Sequence, residues 1–306
     1  MDRAINKKHK DIPGSKNQKV AFGIMSGIFA LYSLSLLSPF VWILINSFKD
    51  ATSFMSSAIE GGAMNFPETW HFENYYEALI GFKVRIGSGD SAKNVNLLSM
   101  FLNSIIITAT TTALEVFFSA ATAYVLAKYN FPGKKLIFGM VLASMVIPIV
   151  GTLPVMYRFM GTIHLRDTLP GIWVIYVSGF GFGFLLLNGH FKGVSWAYAE
   201  AAQIDGANSF QVFFKIMLPL SVPQLISLSI VTAITYWNDY GTPKIYLSSM
   251  PTVAVGLDSL TNAIEKTSNY PLMFSCMLVA IAPILIVFCM FQKTIMENMV
   301  AGGIKG

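Results

Sequence analysis

Charge is scarce in this sequence. Lys, Arg, Asp and Glu make up 12% of its 306 residues, while 54% are hydrophobic. A soluble domain carries about twice that share of charge. A chain this poor in ions cannot clothe a water-facing surface, so lipid is the solvent for most of it. Cysteine is nearly absent. Cys276 and Cys289 share one apolar run, and on one helix they would stand about 20 Å apart, too far for a disulfide. They therefore bear on no redox compartment. His9, His71, His164 and His190 are scattered without metal-ligand spacing. No phosphate-cradling G-x-x-x-x-G-K-[ST] loop occurs. In "FPGKK" Lys128 stands where the first glycine of that loop belongs, so the chain displays no ATP site of its own. No Ser/His/Asp or Cys/His arrangement can be drawn, and no paired carboxylates fall in the apolar runs. An enzyme is disfavoured.

What is present is long hydrophobic runs. Six are long enough to cross a hydrocarbon core, which takes roughly 20 helical residues: Val20 to Phe48, Val95 to Ala127, Leu136 to Tyr157, Thr168 to Phe191, Ile216 to Asn238 and Thr267 to Gln292. Backbone polar groups in lipid need internal partners, and the runs lack the period-2 alternation of a barrel. The expected fold is an all-α integral membrane protein with six transmembrane helices. Its expected divisions are a basic tail at 1–19, a six-helix transmembrane domain at 20–293 and a C-terminal tail at 294–306. Within the domain, span one covers 20–48, an external segment 49–94 and the core 95–293. The polar N-terminal tail does not read as a cleavable signal, so span one is expected to direct its own insertion.

Lys and Arg set the orientation. They crowd the N-terminal tail (Arg3, Lys7, Lys8, Lys10) and recur at Lys128, Lys134, Lys135, Lys192, Lys215 and Lys293. Acids gather in the alternate segments. Both termini are thereby expected in the cytoplasm, and the net charge of +5 is an orientation signal. Basic residues interleaved with stacking aromatics, as in RNA binders, are missing from the tail, which argues against nucleic acid. In the external segment, "FPETWHFENYYEALIG" reads as a turn at Pro67 and a short amphipathic helix around Asn74 to Ile80. "GSGDSAKN" reads as a flexible linker.

The segment between spans four and five, "EAAQIDGANSFQVFFKIMLPL" (Glu200 to Leu220), is unusually polar for this chain. Glu200 near the start of an Ala-rich stretch complements a helix dipole, and Gly206 suits a helix end. Phe210, Phe213, Phe214 and Met217 fall at i, i+3, i+4 and i+7. Pro219 restricts Leu218 and resets the chain before span five. The expected shape is a helix, a glycine turn and a second helix on the inner surface. Residue physics leaves two readings open: an interfacial helix lying on headgroups, or a helix presenting small residues to another protein.

The spacing Glu200-Ala201-Ala202, x3, Gly206, x9, Ile216-x-Leu218-Pro219 resembles the signature E-A-A-x3-G-x9-I-x-L-P of the membrane subunits of ABC importers. "NSIIIT", "AYVLAKYNFPGKK", "WNDY", "FENYYEAL" and the terminal "AGGIKG" are similar to pieces of the carbohydrate-uptake branch, the family of the second membrane subunit of the maltose importer. The similarity runs from span one to the end. One departure precedes the motif: the family usually has a Pro where this chain reads Ser195-Trp196. The resemblance implies a permease that binds no cofactor itself. It implies a second, different permease subunit, two ATPase subunits carrying ATP and Mg, an extracytoplasmic solute-binding protein and a sugar as substrate. It implies a bacterial cytoplasmic membrane with both termini inside. Glu200, Ala201, Ala202, Asp205, Gly206, Ala207 and Pro219 would couple to an ATPase. Gly302, Gly303, Lys305 and Gly306 would reach between the ATPase subunits. The same role for a non-sugar solute, or a stand-alone secondary transporter, are the alternatives.

Candidate path residues are Glu115, Trp237, Asn238, Asp239 and Tyr240. A carboxylate inside a span is functional by default, although Glu115 could instead satisfy backbone or hydroxyl groups. Aromatics with hydrogen-bonding groups suit sugars, although a cluster at the end of span five also fits an interfacial aromatic belt. Pro148 and Pro154 suggest a kink in span three. Gly179, Gly181 and Gly183 suggest close helix packing more than a hinge.

Overall fold

A computed structural model describes residues 16–59, 65–86, 93–147 and 151–301. Helix dominates. Helix α1 (Lys16–Ser47) is apolar on every side, as a span should be. Helix α2 (Ala51–Ile59) follows, and Asp50 accepts the Thr52 N–H at 3.0 Å at its start. Helix α3 (Glu73–Tyr76) runs into one π turn, Glu77–Gly81, where the sequence predicts a short helix. Strands β1 (Lys83–Ile86) and β2 (Lys93–Asn96) then pair antiparallel, Val84 opposite Val95. This hairpin is not foreseen in the sequence reading. Lys93 and Asn94 of the expected linker belong to β2, and the rest of that linker lies outside the described residues.

Helix α4 (Leu97–Lys128) is the central element. The Asn96 side chain caps it by accepting the Ser99 N–H at 2.9 Å. Next come α5 (Lys134–Val146), α6 (Thr152–Thr162), α7 (Leu169–Tyr176), α8 (Phe182–Gly193), α9 (Ala197–Ile204), α10 (Ser209–Val212), a π turn at Phe213–Met217 and α11 (Leu218–Leu220). The chain ends with α12 (Val222–Asn238), α13 (Gly241–Tyr246), α14 (Val253–Thr267) and α15 (Tyr270–Ala301).

Among the described residues three helices are long and apolar enough to cross a membrane: α1 from Gln18, α4, and α15 to Lys293. Ser209–Leu220 with Val222–Asn238 makes a fourth if taken as one span bent by 75°. The expected spans three and four are each two shorter helices. Gly151 at φ +83° precedes α6, and Gly179 at φ +66° and Gly181 at φ +117° separate α7 from α8. Glycine reaches such angles without the steric cost other residues bear, so the apolar run continues while the helix does not. Pro148 lies outside the described residues, and Pro154 sits in the first turn of α6, where proline is tolerated.

The segments predicted to lie on opposite sides of the membrane pack at opposite ends of α4. Ala78, Val253 and Cys276 are buried with Leu97 and Met100 at its start. Ala199, Val212, Phe213 and Met217 are buried with Tyr124 and Leu126 at its end. The α3 segment is tied to the end of α1. The Asn74 amide donates to the Ser47 and Lys49 carbonyls at 2.8 and 2.9 Å, and the Tyr75 and Ser47 hydroxyls lie 2.7 Å apart. The Ser47 carbonyl is among those a helix end leaves without an intrahelical partner. Asn74→Ala should therefore lower stability by about 1–2 kcal/mol, read as a lower thermal midpoint of the detergent-solubilised protein.

Candidate functional site

The motif segment begins where α8 ends. No proline opens α9. Instead the Ser195 hydroxyl accepts the Ala197 N–H at 3.3 Å, and the Trp196 carbonyl accepts the Ala199 and Glu200 N–H groups at 2.8 and 3.1 Å. The Trp196 ring packs edge-on against Tyr129, with centroids 5.9 Å apart, at the end of α4. Glu200 lies in the first turn of α9, where a negative charge meets the positive end of the dipole.

Gly206 ends the helix as its position suggests. Its φ is +86°. Its N–H donates to the Gln203 carbonyl at 3.0 Å and the Ala207 N–H donates to the Ala202 carbonyl at 2.9 Å. Those two bonds together are the Schellman motif. Ala199 is fully buried, and Ala202 and Ala207 pack on the same core cluster. The opposite face is open: Tyr198, Glu200, Ala201, Asp205 and Gly206 are exposed, and Ile204 is 86% exposed. Small residues thus bring α9 close to its own bundle on one side while a mixed apolar and acidic face looks outward. Tyr198 and Ile204 are absent from the sequence-derived set, because an exposed large apolar residue carries no signal of its own in an apolar chain.

Asn208 then opens α10 with a capping box. Its side chain accepts the Gln211 N–H at 2.9 Å, and the Gln211 side chain accepts the Asn208 N–H at 2.9 Å. The pattern Asn-x-x-Gln is the sequence signal for such a cap. The aromatic stripe divides. The π turn at Phe213–Met217 adds a residue to its turn, so Val212, Phe213 and Met217 are buried while Phe214 is exposed and Phe210 is 77% exposed. Phe210 and Phe214 instead line an apolar cleft of about 300 Å³ with Phe117, Tyr124 and Tyr129. Leu218 stays helical at φ −63°, ψ −49° despite the proline after it. The break falls at Ser221, φ −99°, ψ 2°. Pro219 lies in the short helix Leu218–Leu220 that continues directly from the π turn.

The bend at Ser221 is braced from two sides. Its hydroxyl donates to the Met217 carbonyl at 2.7 Å and lies 3.0 Å from His190 Nε2 of α8. Lys128 Nζ donates to the Val194 carbonyl, and the Asn188 amide donates to the Ala123 carbonyl at 3.2 Å. The ends of α4 and α8 and the start of α12 are thereby joined by hydrogen bonds beside the motif segment.

Glu115 lies elsewhere on α4 and meets the break in span four. Its Oε2 accepts the Ser178 N–H at 3.0 Å and the Gly179 N–H at 3.4 Å, and its Oε1 accepts the Ser119 hydroxyl at 3.0 Å. The Thr122 hydroxyl donates to the Gly179 carbonyl. The structure brings Asp239 to the same segment, since the Tyr176 hydroxyl donates to Asp239 Oδ2 at 2.7 Å. The two acids thus bracket Tyr176 to Gly179. Trp237 does not join them. It packs against Phe101, with centroids 5.9 Å apart, and lines an apolar cavity of about 280 Å³ beside Pro283. The Asn238 amide donates to the Ile234 carbonyl at 2.8 Å, and Tyr240 is exposed. Gly302, Gly303, Lys305 and Gly306 lie outside the described residues. Among the described residues no group of His, Cys, Asp and Glu is arranged to hold a metal ion.

Residues 116–300 match the family described as the binding-protein-dependent transport system inner membrane component. The diacetylchitobiose uptake system permease protein NgcG of Streptomyces coelicolor is 27% identical over 91% of this chain and 87% of its own length. The arabinooligosaccharides transport system permease protein AraQ of Bacillus subtilis is 28% identical over 91% of this chain and 94% of its own. Among solved structures, a bacterial ABC transporter involved in import of the acidic polysaccharide alginate shares the fold. Its TM-score is 0.73 at 21% identity, over 92% of this chain and 98% of that one.

Proposed function

The chain belongs to the family of binding-protein-dependent transport inner membrane components, and from that premise we propose that it is the sugar-importing permease subunit of an ATP-driven transporter. Its kin by sequence include permeases named for diacetylchitobiose and for arabino-oligosaccharides, which supports a saccharide as the solute. The second permease subunit, the two ATPase subunits with their ATP and Mg, and the extracytoplasmic binding protein complete the assembly. The membrane is the bacterial inner membrane, crossed six times with spans three and four interrupted, and both termini are cytoplasmic. The divisions are the tail 1–19, the permease domain 20–293 and the tail 294–306.

The observation that carries the reading is α9 itself. It is a short helix closed by a Schellman turn, buried on its Ala199 side and open on the side of Ala201, Ile204 and Asp205. Glu200, Ala201, Ala202, Asp205, Gly206 and Ala207 form the coupling helix that seats in an ATPase cleft, and Pro219 lies in the short helix before the bend. When ATP draws the ATPase pair together, α9 moves with it, and the bundle passes from inward-open to outward-open. Such coupling requires different contacts for α9 in the two ATPase states. The tail residues Gly302, Gly303, Lys305 and Gly306 form a second ATPase contact. Glu115, Trp237, Asn238, Asp239 and Tyr240 belong to the solute path.

The test is reconstitution of the Ala201→Cys variant with both partner types and the binding protein. Uptake should require ATP and the binding protein, and the thiol introduced on α9 should cross-link to an ATPase subunit. Sugar uptake by this chain alone in vesicles would overturn the assignment.

A further inference from the structure

The apolar run of span four contains five residues, Val177 to Gly181, that belong to no helix. Non-helical backbone at membrane depth is tolerated only where protein buries it or water reaches it, and interrupted helices recur where transporters hold their solutes. Gly179 of this segment is buried, but Ser178 and Phe180 are exposed. Resting on the importer reading above, we propose that Ser178 and Phe180 touch the saccharide as it crosses, and that Glu115 is the positioning residue that holds them there.

The geometry is built for a fixed contact. Glu115 takes two consecutive N–H groups of the segment, from Ser178 and Gly179, and Thr122 binds the Gly179 carbonyl between them. A side chain at Gly179 would meet the Phe118 Cβ at 3.2 Å, so the segment lies hard against α4. Within the segment the Ser178 hydroxyl donates to the Phe180 carbonyl and accepts the Phe180 N–H at 3.2 Å. One lone pair of that oxygen remains for an incoming hydroxyl. Beside it lies an apolar cavity of about 270 Å³ whose walls include Trp173, Phe118 and Val174, with Ser178 at its edge. Aromatic walls with one or two hydrogen-bonding groups match a sugar ring, which has an apolar C–H face and a hydroxyl rim. Glu115 accepts the backbone N–H groups of the segment and the Ser119 hydroxyl, so its part in this proposal is to order the segment along the path.

The experiment uses the complete reconstituted transporter, with Cys289→Ser and Ser178→Cys, and diacetylchitobiose and an arabino-oligosaccharide as probes. The thiol introduced at position 178 should react with a charged, membrane-impermeant methanethiosulfonate. The reaction should slow at least fivefold when ATP and binding protein loaded with the transported probe are present. With ATP and unloaded binding protein it should not slow. Reaction only with a lipid-soluble maleimide would place Ser178 against lipid and overturn the proposal. Absence of any reaction would place it against the partner subunit and overturn it equally. Glu115→Gln, which keeps an acceptor oxygen for the segment, should retain at least a third of the uptake and the protection. Glu115→Leu should lose the protection by the probe in a complex that still assembles. Unchanged protection in Glu115→Leu would overturn the positioning role, and if that variant fails to assemble, a loss of protection in Glu115→Gln would do the same. If the parent protein moves neither probe with ATP and its binding protein, the sugar reading fails. If it moves one and the Ser178→Cys thiol is indifferent to it, this inference alone fails.

Discussion

Gly206→Asn should leave the transporter assembled and its membrane domain as stable as before, yet cut ATP-driven uptake at least tenfold. The backbone at Gly206 stands at φ +86°, which an L-residue with an ordinary side chain reaches at a cost of roughly 1–2 kcal/mol. Asparagine tolerates this region better than most, so the Schellman turn to Ala202 and Gln203 survives. Among the described residues, its two chain neighbours aside, no atom lies within 4 Å of a Cβ placed at Gly206, so no packed neighbour described in this chain resists a side chain there. Whatever resists it must come from outside, and the proposed ATPase cleft is what lies outside.

Gly206→Ala separates the two terms further. It adds the least bulk but bears the full backbone strain, so it should lower stability by about 1 kcal/mol or more. Thermal midpoints read the strain, and uptake reads the contact. Asparagine restoring both to the level of the parent protein would mean that glycine serves the turn alone. In that case α9 would not approach another backbone at this point.

The helix and glycine turn of Ala197 to Ala207 were legible in the sequence because their residues have separate local jobs at fixed offsets. An acid in the first turn, small residues on one face and a glycine at the helix end are each decided within a few residues. The same locality failed one turn later. The stripe of Phe210, Phe213, Phe214 and Met217 assumes 3.6 residues per turn throughout, and the π turn at Phe213–Met217 shifts the phase, so half of the stripe faces away from the core. No residue type there announces a π turn. Leu218 was misplaced for a related reason. The restriction on a residue before proline is a preference, and tertiary packing of Met217 at the foot of the bundle overrides it.

Span four shows the opposite limit. Hydropathy along Thr168 to Phe191 is continuous, and the alternation of Gly and Phe at 179–183 fits both close packing and a break. Gly183 does pack closely, since a Cβ there would stand 3.0 Å from Leu228 Cδ2 and 3.1 Å from Ser119 Oγ. Gly179 and Gly181 adopt positive φ within the break between α7 and α8. What decides between the two is Glu115, more than sixty residues away, because its carboxylate supplies the partner that the N–H groups of Ser178 and Gly179 lose when the helix stops. The acid was legible as an anomaly, but its partners were not, since only the fold brings α4 against the break.

Gly171→Ala should be the most damaging glycine-to-alanine change among the described residues. A Cβ at Gly171 would stand 2.0 Å from the Leu165 carbonyl oxygen and 3.0 Å from its carbon. Both are backbone, so no rotamer change relieves the clash. Nor can the loop from Ile163 to Asp167 retreat. The Leu165 N–H donates to the Met160 carbonyl at 3.0 Å, and the Asp167 N–H donates to the Tyr246 carbonyl at 3.0 Å. The Asp167 side chain accepts the Ser249 N–H at 2.8 Å. Thr168 is held between, donating to the Leu165 carbonyl at 2.8 Å while capping α7 through the Gly171 N–H at 3.2 Å. The cheapest relief is to shift α7 itself, which would pull the buried Ile172 from its cluster with Ile107 and Met160. A destabilisation of about 3 kcal/mol or more is expected, seen as loss of assembled complex or a large fall in thermal midpoint. Gly161→Ala, in α6 with nothing within 4 Å of the new carbon, is the matched control and should behave as the parent protein. Because α7 also carries Trp173 and Tyr176 to the edge of the break, any Gly171→Ala protein that does assemble should transport poorly in proportion to its displacement. Normal stability in that variant would mean that Leu165 does not close on α7, and the support of the break by α7 would fall with it.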